Sequence, residues 1–96
     1  MALMISYKLL DQKLNEMASL VSRSRDEVSN LETSNRGLLE YWNSSAGAEY
    51  YKNTRRDILY IRIVLMAMNT KIGEIREVIK RADAAERFIS MILEEM

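Results

Sequence analysis

The chain has 96 residues, which is enough for one small domain. Its 14 basic and 14 acidic side chains cancel, which argues against a general nucleic-acid or anionic-membrane binder, because such proteins present a net positive field. Cys and His are both absent, which removes disulfides, thiolate nucleophiles and the usual imidazole base, so we expect no cofactor and no enzymatic activity.

The first half of the chain has a single apolar stripe with helical spacing. From Tyr7 to Trp42 the stripe positions alternate three and four residues apart, and Ser24 and Asn35 are its polar exceptions. This spacing keeps the stripe on one helix face over about five heptads. The sequence therefore predicts a first helix over about residues 5–41.

A cluster of turn-forming residues follows at about residues 42–48. Asn43, Ser44, Ser45 and Gly47 lie close together there, and residues of these types favour turns. Ser44 or Ser45 is suited to accept hydrogen bonds from the free N–H groups at the start of a second helix. Because the loop is short, we expect the two helices to run antiparallel.

The second half repeats the pattern and predicts a second helix over about residues 49–94. Its stripe runs from Tyr51 to Leu93, with Glu86 as the one charged position. Over residues 58–68 the helix is apolar around most of its circumference, which is more than one partner helix covers, and soluble monomers rarely expose so continuous a patch. We therefore expect an all-α fold, with residues 1–96 forming a single antiparallel two-helix hairpin that dimerises into a four-helix bundle.

The partner in this dimer is expected to be a second hairpin of the same kind, in a homodimer or a heterodimer. The residues predicted for the dimer interface lie outside the main stripe of the second helix: Leu59, Tyr60, Ile63, Val64, Met66 and Ala67.

Two further classes of partner are not expected. The uncharged runs are far shorter than the roughly twenty residues of a membrane-spanning helix, so we expect no stable membrane insertion. The N-terminus has no basic leader, so we expect no cleaved signal peptide. A basic run occurs on the second helix at Lys52, Arg55, Arg56 and Arg62. Glu49 and Asp57 dilute its charge, so nucleic acid is not an expected partner.

The turn carries a specific motif. Trp42 is followed two positions later by the small residue Ser44, four later by Ala46, and eight later by the aromatic Tyr50, with Gly47 between them. This motif resembles that of the WXG family, the early-secreted-antigen-like small helical proteins of bacterial type VII secretion. Members are about this long, place the motif in mid-chain and fold as helical hairpins that dimerise, and the resemblance extends over essentially the whole chain.

One departure from the family motif affects the turn, since Ser44 stands in the position of the family's Gly. Gly suits the left-handed conformation that often ends a helix, whereas Ser adopts it at a cost. We therefore expect either that Asn43 takes this conformation instead or that the loop turns differently.

The resemblance implies a non-enzymatic type VII (ESX-like) secretion substrate or co-secreted dimerisation partner that acts through protein–protein binding. It implies a protein that passes through the cytoplasm and becomes secreted or cell-surface located without a cleaved signal peptide. It also implies that the secretion ATPase is a partner, contacted by the turn of one subunit and the tail of the other.

The family's export signal is an aromatic or apolar residue followed four positions later by an acidic residue in the C-terminal helix. Ile79 with Asp83, and Met91 with Glu95, match this pattern loosely, and no Tyr lies beyond Tyr60. We take Ile79 and Asp83 as the candidate export-signal region. The loose match leaves open that a partner carries the signal.

Two other interpretations also remain open. The chain suits a chaperone-like partner of a larger secreted toxin whose N-terminal domain is a similar hairpin. The heptads alone fit a generic cytosolic coiled-coil adaptor equally well, although a generic hairpin has no need of Trp42 at its turn.

Overall fold

The computed structural model describes residues 6–96 of the chain. These residues form two α-helices, α1 (Tyr7–Tyr41) and α2 (Ser45–Glu95), which contact each other in an antiparallel hairpin. The hairpin is a thin rod with principal dimensions of 78 × 19 × 16 Å. The all-α hairpin predicted from the paired stripes is therefore confirmed.

The start of α1 is fixed by a serine cap. Ser6 has an extended backbone, and its Oγ accepts a hydrogen bond from the Leu9 N–H at 3.2 Å. This bond satisfies one of the backbone donors that a helix leaves free at its N-terminus. The predicted start at about residue 5 falls outside the described residues, and the described helix begins at Tyr7.

The turn is shorter than the sequence predicted. α1 ends at Tyr41 and α2 begins at Ser45, so the predicted turn over residues 42–48 and the predicted helix start at about residue 49 are wrong. The Oγ of Ser44 accepts from the Gly47 N–H at 3.1 Å and caps α2. With that cap in place, the Ser-Ala-Gly-Ala run forms the first turn of the helix instead of continuing the loop.

The core is a single line of residues from each helix, spaced seven apart. α1 contributes Leu14, Val21, Val28 and the polar Asn35, and α2 contributes Ile58, Leu65 and Ile72. Seven residues are close to two helical turns, so each line faces the other helix along the whole seam.

The remaining stripe positions are only partly covered. Three positions after each buried residue lies a second row, in which the apolar side chains range from 38% exposed at Ile75 to 46% exposed at Leu31. One helix packing on one other helix therefore buries only about half of each predicted stripe.

α2 is longer than α1, with 51 residues against 35. Tyr7, the first residue of α1, reaches Glu86, so the last two and a half turns of α2 extend beyond α1. The large apolar side chains of that end are exposed: Phe88, Ile89, Met91, Ile92 and Leu93. Neither of the two described helices contains a stretch apolar enough over a sufficient length to span a membrane.

Candidate interaction surface

The turn brings Trp42, Gly47 and Tyr50 together. The Trp42 and Tyr50 rings lie 5.5 Å apart between centroids and are inclined by 43°, which is within the range of favourable aromatic pairs. Gly47 is buried beneath Trp42. A Cβ at this position would meet the Trp42 carbonyl oxygen and would stand 2.8 Å from Trp42 Cγ. The absence of a side chain at Gly47 therefore allows Trp42 to lie across the start of α2.

Ser44 caps α2, which confirms the predicted capping role, and it does not take the left-handed conformation of the motif's Gly. Trp42 has φ −118° and Ser44 has φ −152°, and no residue in the described part of the chain has a positive φ. The chain thus reverses direction without a left-handed residue, so the loop turns differently and Asn43 does not replace the glycine. Ser44 serves as the N-cap of α2, and Ala46 lies exposed in the first helical turn.

The seam between the helices has two flanks that differ in chemistry. Successive residues of a helix are about 100° apart. Residues one and four positions after a buried residue therefore lie on one flank, and residues three and six positions after it lie on the other.

The first of these is the polar flank, formed by Asn15, Ser29, Glu32, Arg62 and Arg76. Arg62 donates to Glu32 Oε2 at 2.6 Å and to Ser29 Oγ at 3.4 Å. Arg76 donates to Asn15 Oδ1 at 2.8 Å. Since these bonds join α1 to α2, the corresponding rows of both helices lie on the same side of the hairpin.

The second is the apolar flank, where the rows at three and six positions after the buried residues meet. We define it by nine exposed or half-exposed side chains: Met17, Leu20, Leu31, Leu38, Ile61, Val64, Met68, Ile75 and Val78. Among the described residues, no side-chain hydrogen bond or ion pair links the helices across this flank. Polar side chains also occur in these rows: Ser24 and Thr54 are partly buried in the row at three positions, and Glu27, Ser34 and Lys71 are exposed in the row at six positions.

The residues predicted for the dimer interface are exposed but do not share one side of α2. They are Leu59, Tyr60, Ile63, Val64, Met66 and Ala67. Val64 belongs to the apolar flank, whereas Leu59 and Met66 each follow a buried residue by one position and lie beside the polar flank. The other three face away from α1. All six side chains are therefore exposed in the hairpin, but they do not form a single patch.

The candidate export-signal residues are already engaged within the hairpin. Ile79 is partly buried and packs against the core, and Asp83 forms an ion pair with Arg87 at 3.0 Å. Met91 is exposed on the part of α2 that extends beyond α1. Met91 and Glu95 are therefore more accessible than Ile79 and Asp83.

Sequence reasoning missed the polar flank. The signal was present in the spacing, because Arg62 and Arg76 follow the stripe positions Ile58 and Ile72 by four residues. Asn35 was identified only as an exception in the stripe. It is buried in the seam, where Nδ2 donates to the Tyr51 carbonyl at 3.3 Å while Oδ1 has no hydrogen-bond partner among the described residues.

Electrostatics distinguishes two groups on the seam. Hydrogen bonds from Arg62, and secondarily from Arg36, lower the pKa of the Glu32 carboxyl. A hydrogen bond with Glu86 raises the pKa of the Tyr7 phenol. No cluster of acidic side chains with the geometry of a metal site occurs in residues 6–96.

The lowered pKa of Glu32 leads to a pH-dependent prediction. Because its pKa in the folded state lies below the ordinary value of 4.5, Glu32 stabilises the fold above that value, and this stabilisation is lost as the pH falls through the folded-state pKa. We expect Glu32→Gln to lower Tm at neutral pH, and the difference from the wild type to shrink in strong acid. Thermal unfolding followed by circular dichroism, at a series of pH values, measures this difference in Tm. A difference that stays constant down to the acid limit would contradict the assignment.

Comparison of the chain with known protein families, with curated proteins and with solved structures gave no match. The fold defines the chain as a helical hairpin with one polar and one apolar flank. Membership of the WXG family therefore stays a prediction, which depends on the turn residues Trp42, Ser44, Ala46, Gly47 and Tyr50.

Proposed function

We propose that this protein is a type VII secretion substrate, or a co-secreted dimerisation partner, of the WXG kind. It acts through protein–protein binding and carries out no chemistry of its own. Its partner is a similar helical hairpin, in a homodimer or heterodimer, and the pair is recognised by the secretion ATPase. The protein is then secreted or located at the cell surface without cleavage of a signal peptide.

The observation that supports this proposal most strongly is the construction of the turn. A hairpin needs only a cap and a short loop to reverse direction, and Ser44 supplies the cap. The close contact between Gly47 and Trp42 is not needed for the reversal. A side chain at position 47 would displace the tryptophan, so this contact requires glycine. The rest of the chain does not require Trp42 for its core.

The turn also presents aromatic surface at the tip of the rod. Tyr41 is 89% exposed and lies beside the partly exposed Trp42 and Tyr50. Tyr and Trp supply large contact areas at a low cost in side-chain entropy, and they are enriched among the residues that dominate binding energy. An aromatic tip suits recognition by another protein, and here we assign that role to the secretion ATPase.

A chaperone-like role is the second candidate, and the state of the export-signal region favours it. Ile79 packs on the core and Asp83 is paired with Arg87, so the chain presents this match poorly, and only the match at Met91 and Glu95 is exposed. In that case a larger secreted toxin with a similar N-terminal hairpin supplies the signal. This chain covers the apolar surface of the toxin hairpin during export.

Export gives the direct test. In cells that encode the chain, we expect the intact protein in the culture supernatant, and we expect it to be absent there when the secretion ATPase is deleted. Trp42→Ala should reduce the exported amount about tenfold or more if the turn is a binding hot spot worth over 1.4 kcal/mol. Leu9→Ala, which truncates a 52% exposed side chain at the end of α1 opposite the turn and outside the predicted dimer interface, is the matched control and should be exported normally.

The measurement is the ratio of supernatant to cell-associated protein, with a cytosolic enzyme as the lysis marker and circular dichroism to show that both variants fold. Release that depends on co-expressed toxin would select the chaperone-like role. A chain that stays with the cytosolic marker in every strain, while another substrate of the same system is exported, would contradict both.

A further inference from the structure

We propose that the side of the hairpin that carries the polar flank binds the phosphate backbone of double-stranded DNA. The proposal goes beyond the proposed function, because it names a partner of another chemical class and does not depend on export. Three observations support it: the separation of charge between the two sides of the seam, the number of cations without an acidic partner, and the spacing of two basic clefts along the rod.

The basic side chains are concentrated on this side. The line of buried residues continues with seven-residue spacing to Tyr7 on α1 and to Tyr51, Ile79 and Glu86 on α2. The positions one and four residues after this line carry nine basic side chains, which we call the basic stripe. On α1 these are Lys8, Arg25 and Arg36. On α2 they are Lys52, Arg55, Arg62, Arg76, Lys80 and Arg87.

The net charge of zero conceals this concentration. The same rows contain only three acidic side chains, Asp11, Glu32 and Asp83, so their formal charge is +6. All other positions together carry the remaining five basic and eleven acidic side chains, with a formal charge of −6. The prediction that nucleic acid is not a partner was based on the sum over the whole chain. The stripe supplies the local positive field that a polyanion requires.

Six cations of the stripe have no acidic partner in the part of the chain that the structure describes. Glu32 pairs with Arg36 and Arg62, and Asp83 pairs with Arg87. The six cations that take part in no ion pair are Lys8, Arg25, Lys52, Arg55, Arg76 and Lys80. All six are exposed. They are therefore available to neutralise phosphates, which releases the counterions condensed on a nucleic acid.

Two open clefts between the helices contain most of the stripe. The cleft at the start of α1 is lined by Lys8, Arg76, Lys80 and Arg87. The cleft nearer the turn is lined by Arg36, Arg55 and Arg62. Arg25 lies between the two clefts, because Asn15 and Ser29 on either side of it along α1 bond to Arg76 and Arg62.

The distance between the clefts matches one turn of the DNA double helix. On α2 their cations are centred near residues 58 and 81, which is roughly 34 Å apart at about 1.5 Å per residue. B-DNA repeats about every 34–36 Å along its axis. A duplex that lies parallel to the rod therefore presents the same strand to both clefts, one turn apart. The rod is long enough for this contact, since it measures 78 Å.

A single strand fits this side less well than a duplex. Proteins that bind single strands combine a basic groove with aromatic side chains on which the bases stack. Among residues 6–96, the aromatic side chains that line the two clefts are Tyr7 and Tyr51, and both are half-buried in the seam. The exposed rings lie elsewhere on the hairpin, so the stripe offers contacts to the backbone and none to unstacked bases.

An anionic membrane also fits less well. A helix that lies on a membrane buries its apolar face in the lipid while the adjoining basic side chains reach the headgroups. Here the basic stripe and the apolar flank lie on opposite sides of the seam. Turning the stripe toward a bilayer would therefore turn the apolar flank toward water, and duplex DNA is the favoured occupant.

Fluorescence anisotropy of the full chain with a labelled 20-bp duplex of mixed sequence tests the proposal. If about five phosphates are contacted, the slope of log K against log salt is roughly −4 to −5, and binding weakens at least about a hundredfold between 50 and 200 mM salt. A duplex of 8 bp is only about 27 Å long at 3.4 Å per base pair. It cannot reach both clefts, so we expect it to bind at least about tenfold more weakly than the 20-bp duplex.

α2 offers a matched pair of double variants. Arg55→Gln with Lys80→Gln removes one unpaired cation from each cleft. Arg56→Gln with Arg81→Gln removes two exposed cations one position further along, outside the stripe, with the same change in net charge. We expect the first variant to bind the 20-bp duplex at least about tenfold more weakly at 50 mM salt and to reduce the salt slope by about two. The second should change the affinity by less than about threefold. Circular dichroism shows that both variants fold.

The outcomes separate this proposal from the proposed function. No binding at 50 mM salt, equal losses in the two double variants, or equal affinity for the 8-bp and 20-bp duplexes would overturn it. Equal or tighter binding to the single strand, to phosphatidylglycerol vesicles or to polyglutamate would overturn it as well, because the occupant would be of another class. A chain that binds the duplex as described but is not exported would contradict the proposed function alone.

Discussion

Replacing Gly47 by Ala is expected to lower the free energy of unfolding by about 1–3 kcal/mol, which is the usual cost of forcing extra volume into a packed site. The added methyl would meet the Trp42 carbonyl oxygen and approach Trp42 Cγ to 2.8 Å. A backbone carbonyl cannot give way as a flexible side chain can, so either the ring or the first turn of α2 must move. The chain has one Trp, and its fluorescence therefore reports the displacement directly, while circular dichroism in a urea titration gives the free energy.

Gly73→Ala is the matched control for this substitution. Gly73 lies inside α2 with nothing within 4 Å of the position that a Cβ would occupy. A methyl there meets no atom and removes the entropic cost of glycine in a helix, so we expect stabilisation by about 0.5–1 kcal/mol with unchanged Trp fluorescence. Equal effects at the two positions would show that the close approach of Gly47 to Trp42 has no energetic importance.

The sequence predicted the hairpin because apolar spacing is a strong signal over helices as long as these. It predicted the ends of the turn poorly, since Ser and Gly have two roles that spacing does not separate. In a loop they permit tight backbone conformations, and at a helix start they cap free N–H groups or allow close packing. Ser44 caps α2 as predicted, whereas Gly47, which was predicted to lie in the turn, allows close packing in the first turn of α2.

The candidate surface was predictable only in part, for a geometric reason. A continuous stripe from Tyr51 to Leu93 indicates which face of α2 is apolar, but it does not indicate which row within the stripe a single partner helix will cover. The structure shows that the line through Ile58, Leu65 and Ile72 is covered. Only then do the polar and apolar flanks become distinct, because they are defined by their position relative to that line.

The interface residues were predicted poorly for the same reason, because the sequence does not indicate which row of α2 is covered by α1. The apolar side chains outside the stripe include Leu59, Met66 and Val64, and all three were therefore predicted to lie in one interface. In the helix, Leu59 and Met66 lie beside the polar flank, on the same side as Arg62, whereas Val64 lies on the apolar flank. Dimerisation and export themselves stay predictions. What the structure adds is the row of α2 that α1 covers, and hence which apolar side chains of α2 remain exposed.

Ile58→Ala is expected to destabilise the hairpin by about 2–4 kcal/mol, because Ile58 is 1% exposed and its truncation leaves a cavity in the seam. This is a large share of the stability of a small domain. Ile63→Ala removes the same atoms from a side chain that is 64% exposed on the outer side of α2, and should change stability by no more than about 0.5 kcal/mol. Urea unfolding of both variants at the same protein concentration gives the two values.

The comparison of these isoleucines also decides between two arrangements of the dimer. If a partner hairpin lies on the apolar flank, Ile63 stays in water and the two losses differ about fourfold or more, as the costs of buried and exposed truncations do. If the partner instead covers the outer side of α2, Ile63 becomes a buried residue and its truncation costs nearly as much as that of Ile58. A large loss at Ile63 would therefore move the interface to the residues that face away from α1, and Tyr60 and Ala67 would then be buried with it.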